Sequence, residues 1–274
     1  MYKRIICPTD FSNAANNAVE YAANLAKELD ARLHLLNVKS LISSGSVPAG
    51  VWVGPDAEIA SDLLKKTHDV TLETFGVDCT YEVDVTRKAI DKEISEAGGA
   101  DDLMVMGTDG ADSLFEYFFG THTYHVIKNA KCPVLVVPEH KPYEKIEKIV
   151  AAWDYSRRNE LSLSEIKLFL DTTGASITLV HISKKDTDIS NDVYNAFKER
   201  AVQALGADPN RVSFDRIVSP DITNSLSTYM NQSGANLLVL TQYEHDWATN
   251  LFRQSVVKNM TTIAAAYPTL IMHV

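Results

Sequence analysis

A strict alternation of short apolar runs and helical patterns is the feature that most constrains how this chain folds. In the first half, apolar runs of strand length alternate with segments whose apolar residues recur at helical spacing. Such alternation is typical of a parallel, doubly wound sheet with helices on both faces. The predicted strands are Lys3–Pro8, Arg32–Val38, Cys79–Val85, Asp102–Met106 and Pro133–Val137. The predicted helices are a segment capped by Ser12 and reaching Leu29, then Asp56–Phe75, Arg87–Ala97 (stopped by Gly98 and Gly99) and Thr121–Ala130.

The same order of elements then occurs a second time. The predicted strands of this second half are Ile146–Trp153, Ala175–Ile182, Val212–Val218, Asn236–Thr241 and Pro268–Val274, and the predicted helices are Leu161–Leu170, Val193–Leu205, Ile222–Gln232 and Leu251–Ala266. Asp10 and Asp154 each follow the first strand of a half. We therefore predict two tandem five-stranded domains of Rossmann-like fold, residues 1–139 and 145–274, joined by a short charged segment that contains Pro142.

Charge and cysteine content narrow the classes of function. The formal net charge is −10 and no dense Lys/Arg cluster is present, which argues against nucleic acid or an anionic membrane as the main partner. Cys7, Cys79 and Cys132 are widely spaced and odd in number, as expected of buried thiols in a reducing compartment. No run reaches the roughly 18 apolar residues of a membrane helix. We expect a cytoplasmic protein.

The segment with chemical content begins where the fourth strand ends. It reads Gly107-Thr108-Asp109-Gly110, then nine residues, then Gly120-Thr121-His122-Thr123 at the start of a helix. Glycines let a backbone pass close to a ligand or adopt positive φ, and a helix N-terminus offers unpaired N–H groups to an anion. The pattern indicates a phosphate cradle. It lacks the GK[ST] of a Walker loop, and the turn after the first strand lacks the dinucleotide fingerprint.

Each of these residues also has a simpler interpretation. The glycines could serve only a tight turn, and Asp10 could form a turn or cap a helix instead of contacting a ligand. His122 and His125 are three residues apart at a helix start, which could suit a metal, but no cysteine or carboxylate completes a set and we expect none. Asp101 and Asp102 are expected to be solvated loop charges.

The spacing G-2x-G-9x-G-[S/T], matched by Gly107, Gly110, Gly120 and Thr121, resembles the nucleotide-binding motif of the universal stress protein family. The opening Arg4–Ser12 (RIICPTDFS) resembles the first strand and turn of that family, and Asn129–Val137 (NAKCPVLVV) resembles its closing helix and strand. The specific motifs cover the first half, whereas the second half matches by architecture and order. The whole chain resembles a tandem member, with a fold like that of the adenine nucleotide alpha hydrolases.

The resemblance implies a site for ATP, with AMP or ADP as alternatives and Mg²⁺ accompanying ATP. It implies that Asp10 lies near the adenosine and that Asn37 and Val38 lie near adenine through their backbone. Gly107 and Gly110 would line the ribose and phosphates, and Gly120, Thr121, His122 and Thr123 would meet the phosphates. His122 stands where the family has a small apolar residue, so only its backbone N–H is carried over. The cofactor-binding set is completed by Pro8, Thr9 and Met106.

The second half departs from this motif. The matching positions hold Thr241, Glu244, Gln254 and Ser255, so three glycines are lost and a carboxylate is added near the phosphates. We expect this half to bind ATP weakly or not at all and to be mainly structural, with a different ligand at Asp154 and Ser255 as the alternative. The resemblance also implies that the last strands of the halves pair about a two-fold, giving an intrachain pseudo-dimer that could dimerise further.

Three functions compete. The first is an ATP-binding regulatory protein of a stress response that acts through protein partners and is not an enzyme, slow ATP hydrolysis being neither indicated nor excluded. The second is an adenylyl-transfer enzyme or slow ATPase, disfavoured because the turn after the first strand reads PTDFSN and not an SGGxDS-like loop. The third is an interaction module that binds no nucleotide.

Overall fold

The computed structural model describes residues 2–40, 55–108, 121–153, 159–185, 190–242, 264 and 266–273. The chain divides into two compact units, Met1–Tyr143 and Glu144–Val274, called the first and second unit below. In keeping with the sequence pattern, each unit is an α/β fold built on a parallel sheet.

The sheet of the first unit has the strand order β3-β2-β1-β4-β5, with parallel pairing throughout. Because β1 leads outward to β2 and β3 while β4 returns to its other side, the direction of winding reverses between β1 and β4. The strands are β1 (Arg4–Pro8), β2 (Arg32–Ser40), β3 (Cys79–Thr86), β4 (Asp102–Thr108) and β5 (Val134–Pro138). The helices are α1 (Asn13–Leu29), α2 (Pro55–Phe75), α3 (Ile90–Glu96) and α4 (Thr121–Asn129).

The second unit repeats this order as β8-β7-β6-β9-β10. Its strands are β6 (Lys148–Ala152), β7 (Ser176–Ser183), β8 (Val212–Val218), β9 (Leu237–Gln242) and β10 (Thr269–His273). Its helices are α5 (Asn159–Thr173), α6 (Asn191–Leu205) and α7 (Ile222–Ser233). The helix predicted over Leu251–Ala266 lies outside the described residues except for Ala264, which is helical, and Ala266.

The strand registers of the two units correspond residue by residue. Ile149 pairs with Ile177 as Ile5 pairs with Leu33, and it pairs with Leu237 as Ile5 pairs with Leu103. The backbone N–H of Leu238 reaches the carbonyl of Pro268 at 3.0 Å, just as that of Met104 reaches Pro133 at 3.0 Å. The sequence repeat is therefore a repeat of hydrogen-bonding register, and positions can be compared between units without ambiguity.

The core of the first unit lies between its central strands and α1. The side chains of Ile5, Ile6 and Cys7 are fully buried, as are Leu103, Met104 and Val105 in β4, which is what strands covered on both faces require. Helix α1 turns a row of buried alanines towards this sheet, including Ala14, Ala15, Ala18 and Ala22. Ser12 caps the helix by accepting a hydrogen bond from the N–H of Ala15. The small side chains let α1 approach the sheet closely.

Two local expectations about α3 and the segment that follows it are wrong. Helix α3 begins at Ile90, not Arg87, because the Thr86 hydroxyl accepts the Lys88 N–H at 3.0 Å and holds this stretch in a turn. The helix ends at Glu96, the residue after it, Ala97, has right-handed geometry, and Gly98 is not a left-handed cap. A Cβ on Gly98 would lie 2.4 Å from the sulfur of Cys132. The glycine is there because the Cys132 side chain packs against it.

Asp102 is also not the solvated charge that was expected. It is buried, and its two oxygens accept hydrogen bonds from Nε and Nη2 of Arg4 at 3.1 and 2.8 Å, and from the N–H of Gly99 at 2.9 Å. Burial alone would raise the pKa of this carboxyl, but the Arg4 and Gly99 hydrogen bonds and the Arg4 charge together lower it. Asp101 does lie in solvent, where it pairs with Lys3.

Within the described residues, no helix has the length and apolar character that crossing a membrane requires.

Candidate functional site

The predicted site residues that the structure describes gather at one edge of the first unit. Thr9 and Asp10 follow β1, Asn37 and Val38 lie near the end of β2, and Met106 and Gly107 lie near the end of β4. These three strands are adjacent and parallel in the order β2-β1-β4, so their carboxyl ends meet at the same edge. This edge contains the reversal between β1 and β4, which is where open α/β sheets bind ligands.

The turn after β1 is held by its own side chains. The Thr9 hydroxyl accepts the Phe11 N–H at 3.1 Å, and Oδ1 of Asp10 accepts the Ser12 N–H at 3.0 Å. Phe11 has φ of 69°, a left-handed conformation that costs a non-glycine residue roughly 1 kcal/mol. Asp10 therefore stabilises this turn through one of its carboxylate oxygens. Its carboxylate is exposed, and Oδ2 makes no hydrogen bond to any residue that the structure describes. One oxygen is left to face solvent or a ligand.

Asn37 ties the end of β2 to the residue after β1. Its Nδ2 donates to the carbonyl of Thr9 at 2.6 Å, and the side chain is 2% exposed. The orientation of the amide is fixed, because a carbonyl can only accept and must face the NH₂ group. Oδ1 is then a buried acceptor with no hydrogen-bond partner among the described residues. Leaving such an atom unpaired costs about 1–3 kcal/mol, so this atom calls for an explanation.

Gly107 has a structural reason to be glycine that the sequence did not reveal. A Cβ at this position would lie 2.3 Å from the carbonyl oxygen of Ala14 and 2.9 Å from the N–H nitrogen of Ala15. Its φ is not in the left-handed region. The first turn of α1 therefore lies directly against the backbone of β4, and this contact fixes where the helix N-terminus stands beside the crevice.

The remaining predicted residues lie on or before α4. Helix α4 begins at Thr121, and Thr123 in its first turn is buried. The helix follows β4 and runs back towards the start of β5, so its N-terminus belongs to the carboxyl edge of the sheet. Gly110 and Gly120 lie outside the described residues, as do the side chains of Thr121 and His122. His125 is exposed, with Nδ1 3.8 Å from a carboxylate oxygen of Asp91.

The second unit keeps the hydrogen bond between its second strand and the residue after its first strand, but has larger residues around it. Nδ1 of His181 donates to the carbonyl of Trp153 at 2.8 Å, so His181 and Trp153 repeat the contact of Asn37 and Thr9. Trp153 is 7% exposed, and its ring meets the Phe197 ring edge-on, with centroids 6.5 Å apart. Thr241 occupies the register position of Gly107. Asp154, Glu244, Gln254 and Ser255 lie outside the described residues.

Sequence reasoning named Asn37 only for its backbone and missed its side chain. The signal was present, because Leu33 and Leu35 are fully buried and alternate with Asn37 on one face of β2. A polar residue at the end of an apolar face is expected to have a specific partner.

The family model for the universal stress proteins matches residues 1–138. The chain belongs to the universal stress protein family. Universal stress protein MJ0531 of Methanocaldococcus jannaschii is 37% identical to this chain over 151 residues. The match covers 52% of this chain and 85% of that protein. The crystal structure of a universal stress protein from Archaeoglobus fulgidus superposes over 100% of this chain and 99% of that one, with a TM-score of 0.75 and 17% identity. That likeness supports the fold.

The cysteines of this universal stress protein are free and buried. Burial is the largest influence on each: it raises the pKa of the Cys7 thiol, that of Cys79 to about 11 and that of Cys132 to about 12. Thiols held in this way are poor nucleophiles and metal ligands at neutral pH. Their contribution is packing, as the Cys132–Gly98 contact illustrates.

Proposed function

We propose that the first unit of this universal stress protein binds an adenine nucleotide, with ATP as the first ligand to test, and that the chain acts as a nucleotide-dependent regulatory protein in a stress response. The observation that carries the proposal is the gathering of Thr9, Asp10, Asn37, Val38 and Gly107 at the reversal between β1 and β4. The glycine spacing at Gly107, Gly110 and Gly120 supports it independently.

The chemistry of the described residues fits such a ligand. A nucleoside carries amino and hydroxyl donors, and this edge offers the exposed carboxylate of Asp10 as an acceptor. Triphosphate oxygens need donors, which the N-terminus of α4 provides through its backbone N–H groups and helix dipole. In this proposal the base lies towards β2 and the phosphates towards α4, and Mg²⁺ accompanies ATP.

The proposal is one of binding without rapid turnover, and it assigns no catalytic residue. The cysteines are buried thiols with raised pKa values, and the motif contains no Walker lysine. Binding and release of the nucleotide would then change how the protein meets its partners.

The second unit is proposed not to bind triphosphate. Trp153 and Thr241 add bulk where the first unit has Thr9 and Gly107. In the sequence, Glu244 and Gln254 replace two further glycines of the motif.

Calorimetric titration with ATP and Mg²⁺ tests this proposal. We expect one ATP per chain, and a thermal stabilisation that corresponds to about 2.7 kcal/mol when the free ligand is 100 times its Kd. Gly120→Asp places a carboxylate in the phosphate motif and should weaken binding at least about tenfold. Gln254→Asp makes the matched change in the second unit and should leave binding unaltered.

Two results would refute the proposal. One is ATP binding that survives Gly120→Asp at full strength, and the other is the absence of heat and of thermal shift with the wild-type chain. Mass spectrometry of the native protein would then identify any other small molecule that co-purifies, and would distinguish AMP or ADP from ATP if the site proves to be occupied.

A further inference from the structure

The segment that follows β5, residues 139–143 and called the connecting segment below, is held against α1. Nδ2 of Asn17 in α1 donates to the carbonyl of Pro138 at 2.8 Å and to that of Lys141 at 2.9 Å. Both carbonyls can only accept, so the orientation of the Asn17 amide is fixed. The N–H of Lys141 donates to the carbonyl of Pro138 at 3.0 Å and closes a turn. One amide side chain therefore holds both ends of this turn.

The last residue of the connecting segment, Tyr143, makes a second attachment to α1. Its hydroxyl donates to a carboxylate oxygen of Glu28, and its ring meets the Tyr21 ring edge-on, with centroids 4.9 Å apart. Burial and then the bond to Glu28 raise the pKa of Tyr143, so the hydroxyl keeps the proton that it donates. The two attachments, at Asn17 and Glu28, are roughly three helical turns apart on α1.

The start of the connecting segment is bonded to the phosphate motif. The N–H of Glu139 donates to the carbonyl of Thr108 at 2.9 Å, one step beyond the last paired residues of β4 and β5. Thr108 lies between the first two glycines of the motif. Its neighbour Gly107 lies against the backbone of Ala14 in the first turn of α1. Two consecutive motif residues are therefore held in place, Thr108 by the connecting segment and Gly107 by the helix on which that segment docks.

We propose that nucleotide binding in the first unit is coupled to docking of the connecting segment on α1, so that the docked segment favours the bound nucleotide. This inference rests on the proposed function. The physical cause is preorganisation, because a motif that is already held in place loses less conformational entropy when phosphates order it. Coupling between two equilibria is reciprocal, so the nucleotide favours docking by the same factor. The two states are the docked segment, with the Asn17 and Tyr143 bonds made, and the released segment.

The connecting segment leads directly into the second unit. Only Glu144 separates Tyr143, which α1 holds, from Lys145, whose carbonyl accepts a hydrogen bond from Nδ2 of Asn236 in the second unit. A change in docking therefore begins within one residue of the second unit. This places the connecting segment on the covalent route by which the state of the nucleotide site would be passed on.

Hydrogen exchange of the segment amides with and without ATP and Mg²⁺ measures docking, and calorimetry measures binding. In the wild-type chain, ATP should slow exchange at Glu139 and Lys141 about fivefold. The slowing should exceed that at Gly76, whose N–H closes α2 at the opposite edge of the sheet and reports general stabilisation by the ligand. Asn17→Asp keeps the side-chain shape but sets a carboxylate against two carbonyl oxygens. In this variant the segment should exchange faster and ATP should bind about fivefold more weakly.

Asn24→Asp is the matched control, because it adds the same charge to α1 while Asn24 donates only to the carbonyl of Glu20 in its own helix. It should leave ATP affinity and segment exchange as in the wild-type chain. Tyr143→Phe is the second variant, since it removes the bond to Glu28 but keeps the ring against Tyr21 and adds no charge. It should weaken ATP binding about twofold, and it decides the question if Asn17→Asp does not fold.

The outcomes separate this inference from the proposed function. If ATP binds the wild-type chain but binds Asn17→Asp and Tyr143→Phe equally well, the connecting segment is not coupled to the site and only this inference falls. The same holds if ATP slows exchange in the segment no more than at Gly76. Faster exchange with ATP would overturn the inference too, because the coupling would have the opposite sign. If no nucleotide binds the wild-type chain, the proposed function fails and the inference fails with it.

Discussion

The carboxyl edges of the two units share one hydrogen bond between strands and differ in the residues that surround it. In both, a side chain from the second strand donates to the carbonyl just beyond the first strand: Asn37 to Thr9 at 2.6 Å, and His181 to Trp153 at 2.8 Å. The surroundings differ, since Trp153 stands for Thr9 and Thr241 for Gly107. The two units therefore share this bond and differ in the size of the residues around it. In the first unit, the small size of Gly107 is required by the first turn of α1, which lies against it.

The amino-terminal edges of the two units differ in the groups that join the start of the first strand to the start of the fourth. In the first unit, Arg4 at the start of β1 meets the buried carboxylate of Asp102 at the start of β4. In the second unit, the register positions hold Lys148 and Asn236, and the Asn236 amide accepts the N–H groups of Glu147 and Lys148. An ion pair in one unit and a neutral amide in the other join the same two strand starts. Only the first arrangement depends on pH.

The largest effect should come from giving the first unit a side chain where the second unit has one. Gly107→Ala places a Cβ 2.3 Å from the carbonyl oxygen of Ala14. Because the obstacle is backbone, α1 must move as a whole, and we expect a loss of about 3 kcal/mol in the free energy of unfolding. Urea unfolding, with hydrogen exchange of peptides from each unit, measures this loss and assigns it to the first unit.

Thr241→Ala is the matched control, because the second unit already accommodates a Cβ at this register position. It should cost less than about 1 kcal/mol. If Gly107→Ala folded with unchanged stability and lost only nucleotide binding, Gly107 would be a ligand glycine and the contact with α1 would not be its cause.

A smaller effect, and one that depends on pH, is expected from Asp102→Asn. The loss should be about 1.5 kcal/mol at pH 7, less than for a fully buried pair because the Arg4 side chain is 40% exposed. The folded-state pKa of Asp102 lies below the unfolded value of about 3.9. Its contribution is therefore complete above about pH 4 and disappears as the pH falls through the folded-state pKa.

Stability curves of the wild-type and variant chains should thus be separated at pH 7 and converge in acid. Asp101→Asn is the neighbouring control, because Asp101 and its partner Lys3 lie in solvent, and it should change stability little at any pH. A difference between the wild-type chain and Asp102→Asn that persisted unchanged to pH 2 would show that charge is not what Asp102 contributes.

The sequence was sufficient for the features that depend on periodicity. Strands such as β1 and β4 are buried on both faces and read as continuous apolar runs, so their places and the parallel sheet followed directly. The repeat was also predictable as an order of elements, because strands and helices recur in the same order in both halves. The family motif then pointed to the edge at which Thr9, Asn37 and Gly107 meet.

Features that depend on contacts between distant segments were not predictable. Gly107 is explained by the backbone of α1 and Gly98 by the sulfur of Cys132, and neither neighbour is near in sequence. Asp102 could not be distinguished from the exposed Asp101 beside it until Arg4 was placed opposite. Periodicity indicates which face of a strand or helix a residue lies on, but not which group of a distant segment it contacts.

The smallest expected effect concerns the bond that both units share. His181→Ala leaves the Trp153 carbonyl without its donor and should lower the free energy of unfolding by about 1 kcal/mol. His181→Asn restores a donor of the kind that Asn37 provides in the first unit, and should recover most of that loss. Thermal unfolding of the two variants, with hydrogen exchange of peptides from β6 and β7, measures the difference. If asparagine were as damaging as alanine, the ring of His181 and not its Nδ1 donor would be what the second unit requires, and the correspondence with Asn37 would be one of position alone.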